Sequence, residues 1–530
     1  MDKKLFVCKA SLASRSSTVN GRRGRRHPNA GLRRLQLPRE ARMTFLSSSS
    51  DSAAPMTSTY AIRGASSPTD AGIYLGHDDS GWCVAPAQRA VLVLGPPRSG
   101  KTSSLIIPNV LAAAGPVVST STKPEVLDAT IDCRSRRGRC AVFDPTGTVA
   151  DRRGIETLRW SPVQSCASWD GALSSARTMV DVANPPGGSS RSSASHWNER
   201  AQLLLATMLH AAAVDGAGLR SVLAWVDRRR WLDARNILSC APGGATELAD
   251  QALEGLAATD ERELSGIWST ASGALAGYRT EAALATTDRP TFDPDRFVRS
   301  ADTLYLCAPS HRQALVAPMV VGLIEDVRTA AYARAAVLGS DIASRPAPTL
   351  MALDEVANIA PLPGLPSMVS EGGGQGVAVL ACLQDLSQAR HRWPGEADGF
   401  PSLFGTTVVL PGIGDVRTLE ALSTLAGDEE IPTLTRTVGR GPTGHPLSDM
   451  MTGGRVQTGA SASTQWRRRL PPEMITGGVP GSALTFDHRN QASWTPLAPA
   501  FRTDPWRSLG GDGRSVHRPT PARIDPGLGR

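Results

Sequence analysis

A hydrophobic run, Val91-Leu92-Val93-Leu94, breaks into Gly95-Pro96-Pro97-Arg98-Ser99-Gly100-Lys101-Thr102. The chemistry this spacing suits is phosphate binding. Gly95 and Gly100 let the backbone turn sharply and bring its N–H groups close to phosphate oxygens, which a Cβ would obstruct. Lys101 can reach the β- and γ-phosphates of a nucleotide, and Thr102 offers a hydroxyl to Mg²⁺. Ser103 to Leu111 continue as a helix whose N-terminal dipole favours an anion.

The other half of such a site needs one carboxylate to hold Mg²⁺ and another to orient or deprotonate the attacking water. Asp354 and Glu355 follow the apolar stretch from Thr349 to Leu353, which puts both acids at the carboxyl edge of a sheet, where ligands of open α/β folds bind. Asp354 is the expected metal residue, together with Thr102, and Glu355 the expected base. Gln384 ends the next apolar stretch, Val377 to Leu383, where its amide could meet the γ-phosphate or the attacking water.

Positioning these groups takes a parallel sheet. Residues 72–90 carry the turn signals of a small hairpin leading into the phosphate-loop strand. Further strands are expected at 115–123, with a helix from about Pro124, and at Ala141 to Asp144. The alternation stops near Trp160. From 166 to 289 the chain is rich in Ala and Leu at helical spacing, with segments at Trp169–Val182, Trp197–Val214, Leu219–Arg228, Thr246–Ala258 and Glu261–Leu284. At the start of the main helix of this region, His196 and Trp197 are expected to be an end-cap and a packing anchor. Strands resume at Asp302–Cys307, followed by a helix from about Arg312 to Leu338, the Thr349, Val377 and Thr407 strands, and Ala483–Phe486. The fold class is therefore α/β, a P-loop NTPase core with an inserted all-α domain.

The division this predicts is a core of 72–165 and 290–430, an inserted helical domain of 166–289, a flexible Gly-, Thr- and Ser-rich linker of 431–470, and a segment of 471–508 that returns to the core. Residues 1–58 and 509–530 read as disordered tails. Met43 and Met56 offer alternative starts within the first tail.

Charge changes meaning once it is located. The chain has 57 Lys and Arg against 49 Asp and Glu, but residues 1–58 alone hold twelve basic against three acidic side chains. The remainder is 45 against 46, so any nucleic-acid contact by the body must use local patches. The eight cysteines form no C-x-x-C pair, and several lie in apolar runs, as expected of reduced, buried thiols. No window approaches the ~20 apolar residues of a membrane-spanning helix, and the basic start lacks the apolar core of a secretory signal.

From about Gly72 to Trp506 the chain resembles the TraG/TraD-type coupling proteins of conjugation and type IV secretion, within the RecA-like DNA-pump superfamily. The resemblance rests on Gly95 to Thr102, Ser119 to Lys123, Phe143-Asp144-Pro145, Trp197-Asn198-Glu199 in a helical insertion, Leu304 to Leu306, Ala308-Pro309, Leu353 to Ala357, and Leu383 to Gln388. The insertion and the Gln-x-x-x-Gln segment make it specific. It implies a RecA-like core, ATP as the nucleotide, a homo-hexameric ring, and a DNA translocase that recruits a relaxase or other secreted cargo. The expected setting is cytoplasmic, peripheral at the inner face of the membrane, alongside the inner-membrane components of the secretion channel. The helical insertion would meet DNA or cargo.

Two departures stand out. The N-terminal membrane helices common in the family are not found in this sequence, and the turn Glu371 to Gly376 lacks the arginine that many relatives carry there. These departures motivate an alternative reading, an ATP-binding docking adaptor with little turnover. A small-molecule kinase fits poorly, because about 250 residues separate Thr102 from Asp354 and no compact lid is evident.

Overall fold

The computed structural model describes residues 72–78, 81–86, 88–149, 155–185, 191–339, 346–441 and 455–510. Its centre is a ten-stranded sheet. In chain order the strands are β1 (Gly72–Asp78), β2 (Gly81–Pro86), β3 (Val91–Leu94), β4 (Val117–Ser121), β5 (Cys140–Phe143), β6 (Glu156–Thr157), β7 (Thr303–Cys307), β8 (Thr349–Leu353), β9 (Val377–Leu383), β10 (Thr406–Val409), β11 (Asp428–Gly441), β12 (Arg455–Arg468), β13 (Ser482–Phe486) and β14 (Ala492–Pro496). The large sheet runs β14-β13-β10-β3-β9-β8-β4-β7-β5-β6. From β10 to β6 every neighbouring pair is parallel, while β13 and β14 add an antiparallel edge.

The central strands are buried on both faces, which is why they read as unbroken apolar runs rather than as alternating ones. Alternate residues point to opposite sides. Leu92, Leu94, Met351, Leu353, Val379 and Leu383 enter one core with the long helix Gln313–Leu338 and the helical insertion. Val91, Val93, Leu350, Ala352, Leu380 and Cys382 enter the other. That second core is closed by the helix after the phosphate loop, the helix Glu125–Arg134, the β1–β2 hairpin and Trp506. Asn109 ties the loop's helix to the hairpin, accepting from Tyr74 N at 2.7 Å and donating to Tyr74 O at 3.0 Å. Tyr74, Trp82 and Trp506 pack edge to face, with ring centroids 5.1–5.8 Å apart.

Helices occupy the chain between β6 and β7. The helix Arg191–Asp215 packs against Trp169–Ala183, Gly244–Ala257 and Glu261–Ala274. Two expectations need correction here. The first is that Glu261 to Leu284 forms one helix; it breaks at Leu275 into Glu261–Ala274, a 3₁₀ turn Ala276–Arg279 and Glu281–Thr286, with Thr280 capping the last piece through a bond from Ala283 N. The second concerns His196, which lies inside a helix beginning at Arg191 rather than at its end, and pairs with Glu263 at 2.9 Å. Trp197 is a packing residue, seated so closely on Gly266 that a Cβ there would come 2.7 Å from the indole. A further helix, Trp231–Cys240, had no counterpart in the periodicity reading.

The stretch whose composition predicts a flexible linker, 431–470, largely pairs as the ribbon β11–β12, in continuous antiparallel register from Asp428↔Arg468 to Gly441↔Arg455. Gly, Thr and Ser mark loops on average, but β-branched Thr433, Thr435 and Thr464 also suit an extended backbone once a partner strand is present. That partner is the next strand along the chain, and composition alone does not show the pairing. The 1–58 tail lies outside the described residues, as does the 509–530 tail apart from Leu509 and Gly510. No disulfide joins the described cysteines, and all of them are buried except Cys240. Among the described residues no helix is long and apolar enough to cross a membrane.

Candidate nucleotide site

The sheet order decides the site. β9 lies between β3 and β8, so the phosphate loop, Gln384 and the Asp354-Glu355 pair leave three adjacent parallel strands at one carboxyl edge. Gly95 N donates to Leu383 O at 3.2 Å and Leu410 N to Leu94 O at 2.8 Å, fastening the loop's first residue between its neighbours.

Gly95 has no room for a side chain. A Cβ would come 2.7 Å from Ser99 Oγ and 2.9 Å from Leu410 Cβ. Arg98, exposed at the crest, and Gly100 both adopt left-handed backbone, with φ 65° and 99°. This reverses the chain before the helix starts at Thr102. The first turns of that helix, Thr102–Ile106, are π-helical and lead into Ile107–Ala112.

Lys101 is 6% exposed, and its ammonium donates to Gly95 O at 2.6 Å and Pro96 O at 3.0 Å. These bonds satisfy a cation that would otherwise cost several kcal/mol to bury. Thr102 Oγ1 donates to Asp354 Oδ2 at 2.6 Å. Asp354 is 5% exposed, its main-chain oxygen accepts from Thr120 Oγ1 at 2.8 Å, and burial pushes its carboxyl up to about 6 despite the Thr102 bond. Glu355 stands in the left-handed region at φ 52°, a conformation that costs a non-glycine residue about 1–2 kcal/mol. Its N–H turns back to Asp354 Oδ1 at 3.1 Å, and its carboxylate accepts from Asn358 Nδ2 at 3.2 Å. Gln384 is held through its main chain, its N–H donating to Gln388 Oε1 at 2.9 Å.

The residues present fit a magnesium nucleotide. Ser99 Oγ is buried in the loop with no protein partner, an orphaned polar group of the kind a phosphate oxygen satisfies. Thr102 and Asp354 are hard oxygen donors side by side. Among the described residues no cluster of three or more His, Cys, Asp or Glu could cage a metal, so a cation here would rest on one carboxylate, one hydroxyl and the phosphates, the arrangement Mg²⁺ favours.

The chain matches the family model "Type IV secretory system Conjugative DNA transfer" over residues 46–429. It belongs to that family. Among its relatives, a conjugal transfer protein TraG of Escherichia coli is 25% identical over 363 residues, which cover 64% of this chain and 56% of that protein. This family member therefore spans little more than half the length of its curated relatives. The bacterial conjugative coupling protein TrwBΔN70 in its unbound form superposes with a TM-score of 0.56 at 18% identity, over 78% of this chain and 85% of that one. The plasmid coupling protein TrwB in complex with ADP and Mg²⁺ gives 0.56 at 17% identity, over 79% and 87%. These two likenesses establish the fold, a RecA-like core with a helical domain.

Every residue singled out in the sequence of this family member for phosphate, metal or water lies at this one edge. Sequence reasoning missed the supporting groups. Thr120 steadies Asp354 from β4, Asn358 holds Glu355, and Gln388 holds Gln384. Thr120 and Gln388 fall within stretches that carried the family resemblance, Ser119 to Lys123 and Leu383 to Gln388, but their partners depend on strand order.

Proposed function

We propose that this chain is an ATP-hydrolysing coupling protein that recruits DNA, or a protein–DNA substrate, and pumps it toward a type IV secretion or conjugation channel. The observation that carries the reading is the hydrogen bond between Thr102 and Asp354, which joins the phosphate loop to the acidic strand across 252 positions of sequence. Family membership and the neighbour crystallised with ADP and Mg²⁺ support the choice of ligand.

In this reading the loop Gly95–Thr102 cradles the phosphates and Lys101 leaves its two carbonyls for the β- and γ-phosphates. Thr102 and Asp354 hold Mg²⁺. When bound, the metal neutralises charge on the transferred phosphoryl group. Glu355 accepts the proton of the attacking water, and Gln384 contacts that water or the γ-phosphate. The helical domain, residues 166–289, faces DNA or cargo such as a relaxase, and the chain works as a homo-hexamer at the cytoplasmic face of the membrane beside inner-membrane components of the secretion channel.

The test is steady-state ATP hydrolysis by the full chain, with single-stranded, double-stranded and no DNA, beside Glu355→Gln. DNA-stimulated turnover that disappears in the variant supports the motor. Nucleotide binding with negligible turnover under every condition overturns it in favour of a docking adaptor, the reading that the arginine-free turn Glu371 to Gly376 motivates.

A further inference from the structure

Away from the nucleotide edge, a cavity of about 340 Å³ opens between the base of the helical insertion and the long helix Gln313–Leu338. One wall comes from Ser165 and the helix Trp169–Ala183, the other from Pro318 to Thr329, with Trp160 and Tyr278 on the floor. Asp170 and Thr329 are exposed at the mouth, whereas Trp160 is 1% and Tyr278 0% exposed, so the pocket has both an entrance and a dry end.

Its polar groups are unevenly satisfied. Glu325 is neutralised by Arg328, 2.5 Å away. Asp326 accepts from Trp160 Nε1 at 2.8 Å, but among the described residues no Lys, Arg or His lies within salt-bridge distance of it. The Tyr278 hydroxyl is buried with no hydrogen-bond partner. A buried phenol and a carboxylate without a counter-ion are each costly to leave so.

The missing partner can be specified by chemistry. An anion is repelled by Asp170 and Asp326, and a neutral polyol leaves Asp326 uncompensated. A bare metal ion finds no cluster of three ligating side chains among the described residues. An alkylammonium supplies several N–H donors for Asp326 and the Tyr278 oxygen, while its carbon chain packs on Met179, Pro318 and the Trp160 ring. We infer that this cavity binds a small organic cation of the alkylammonium class, with Asp326 as counter-ion and Tyr278 as second acceptor. Such a ligand touches the insertion and the core helix at once and holds them together.

Isothermal titration of the full, DNA-free chain with putrescine tests this, with matched sodium chloride and succinate as controls. The expected result is saturable binding to wild type, weakened about tenfold or more in Asp326→Asn and by a smaller factor in Tyr278→Phe, since a hydrogen bond to a charged group is worth more than a neutral one. Far-UV circular dichroism verifies that both variants are folded, and Tyr278→Phe decides the matter if Asp326→Asn is not. Heats no different from sodium chloride in wild type, or equal affinity in wild type and the folded variants, overturn the inference.

Discussion

Thr102 donates its hydroxyl hydrogen to Asp354 at 2.6 Å, and through that one bond the turn after β3 and the turn after β8 become a single site. A hydrogen bond to a charged group is worth about 1.5–3 kcal/mol, so Thr102→Ala is expected to lower Mg²⁺-dependent nucleotide affinity roughly 10- to 100-fold. Titrating Mg²⁺ at fixed ATP reads this directly. An unchanged Mg²⁺ dependence would remove Thr102 from the metal's surroundings.

Glu355 combines a proposed catalytic role with an unfavourable backbone. Glu355→Gly accommodates φ 52° without a Cβ, and it should stabilise the protein by about 1 kcal/mol while turnover falls to background. Urea denaturation beside an ATPase assay checks both halves. A variant that loses stability would mean that the Asn358 bond outweighs the backbone strain.

Gln388 acts on Gln384 rather than on the substrate. Gln388→Ala removes the acceptor for the Gln384 N–H and frees that turn. Turnover is expected to drop about tenfold, the equivalent of roughly 1.4 kcal/mol, with nucleotide affinity little changed. A rise in KM without a fall in kcat would assign Gln388 to binding instead.

Asp326 gives the protein a pH dependence of a definite sign. Burial raises its carboxyl from 3.8 to about 6, so between these values the folded chain binds more protons than the unfolded one. Its contribution is therefore most favourable below about pH 4 and declines as pH rises toward 6. The loss is at most about 3 kcal/mol, less any solvent screening at the partly exposed carboxylate. Asp326→Asn should consequently gain on wild type between pH 4.5 and pH 7 in urea midpoints. A constant difference between the two would place the carboxylate in an ordinary solvated environment.

The sequence by itself determined the local elements and which residues able to do chemistry sit at their ends. Phosphate loops, strand-end acids and buried parallel strands are short-range patterns, so Gly95 to Thr102, Asp354-Glu355 and Gln384 were legible without a structure, as were most helices of the insertion. Tertiary structure alone decided that β9 stands between β3 and β8, because strand order follows from how apolar faces share two cores and not from any local signal. It also decided the β11–β12 ribbon, two strands whose own composition reads as a loop. The uncompensated carboxylate of Asp326 belongs to the same class of fact. An acid on an apolar helix is unremarkable in sequence, and only the packing of Trp160 and Tyr278 around it left it without a counter-ion.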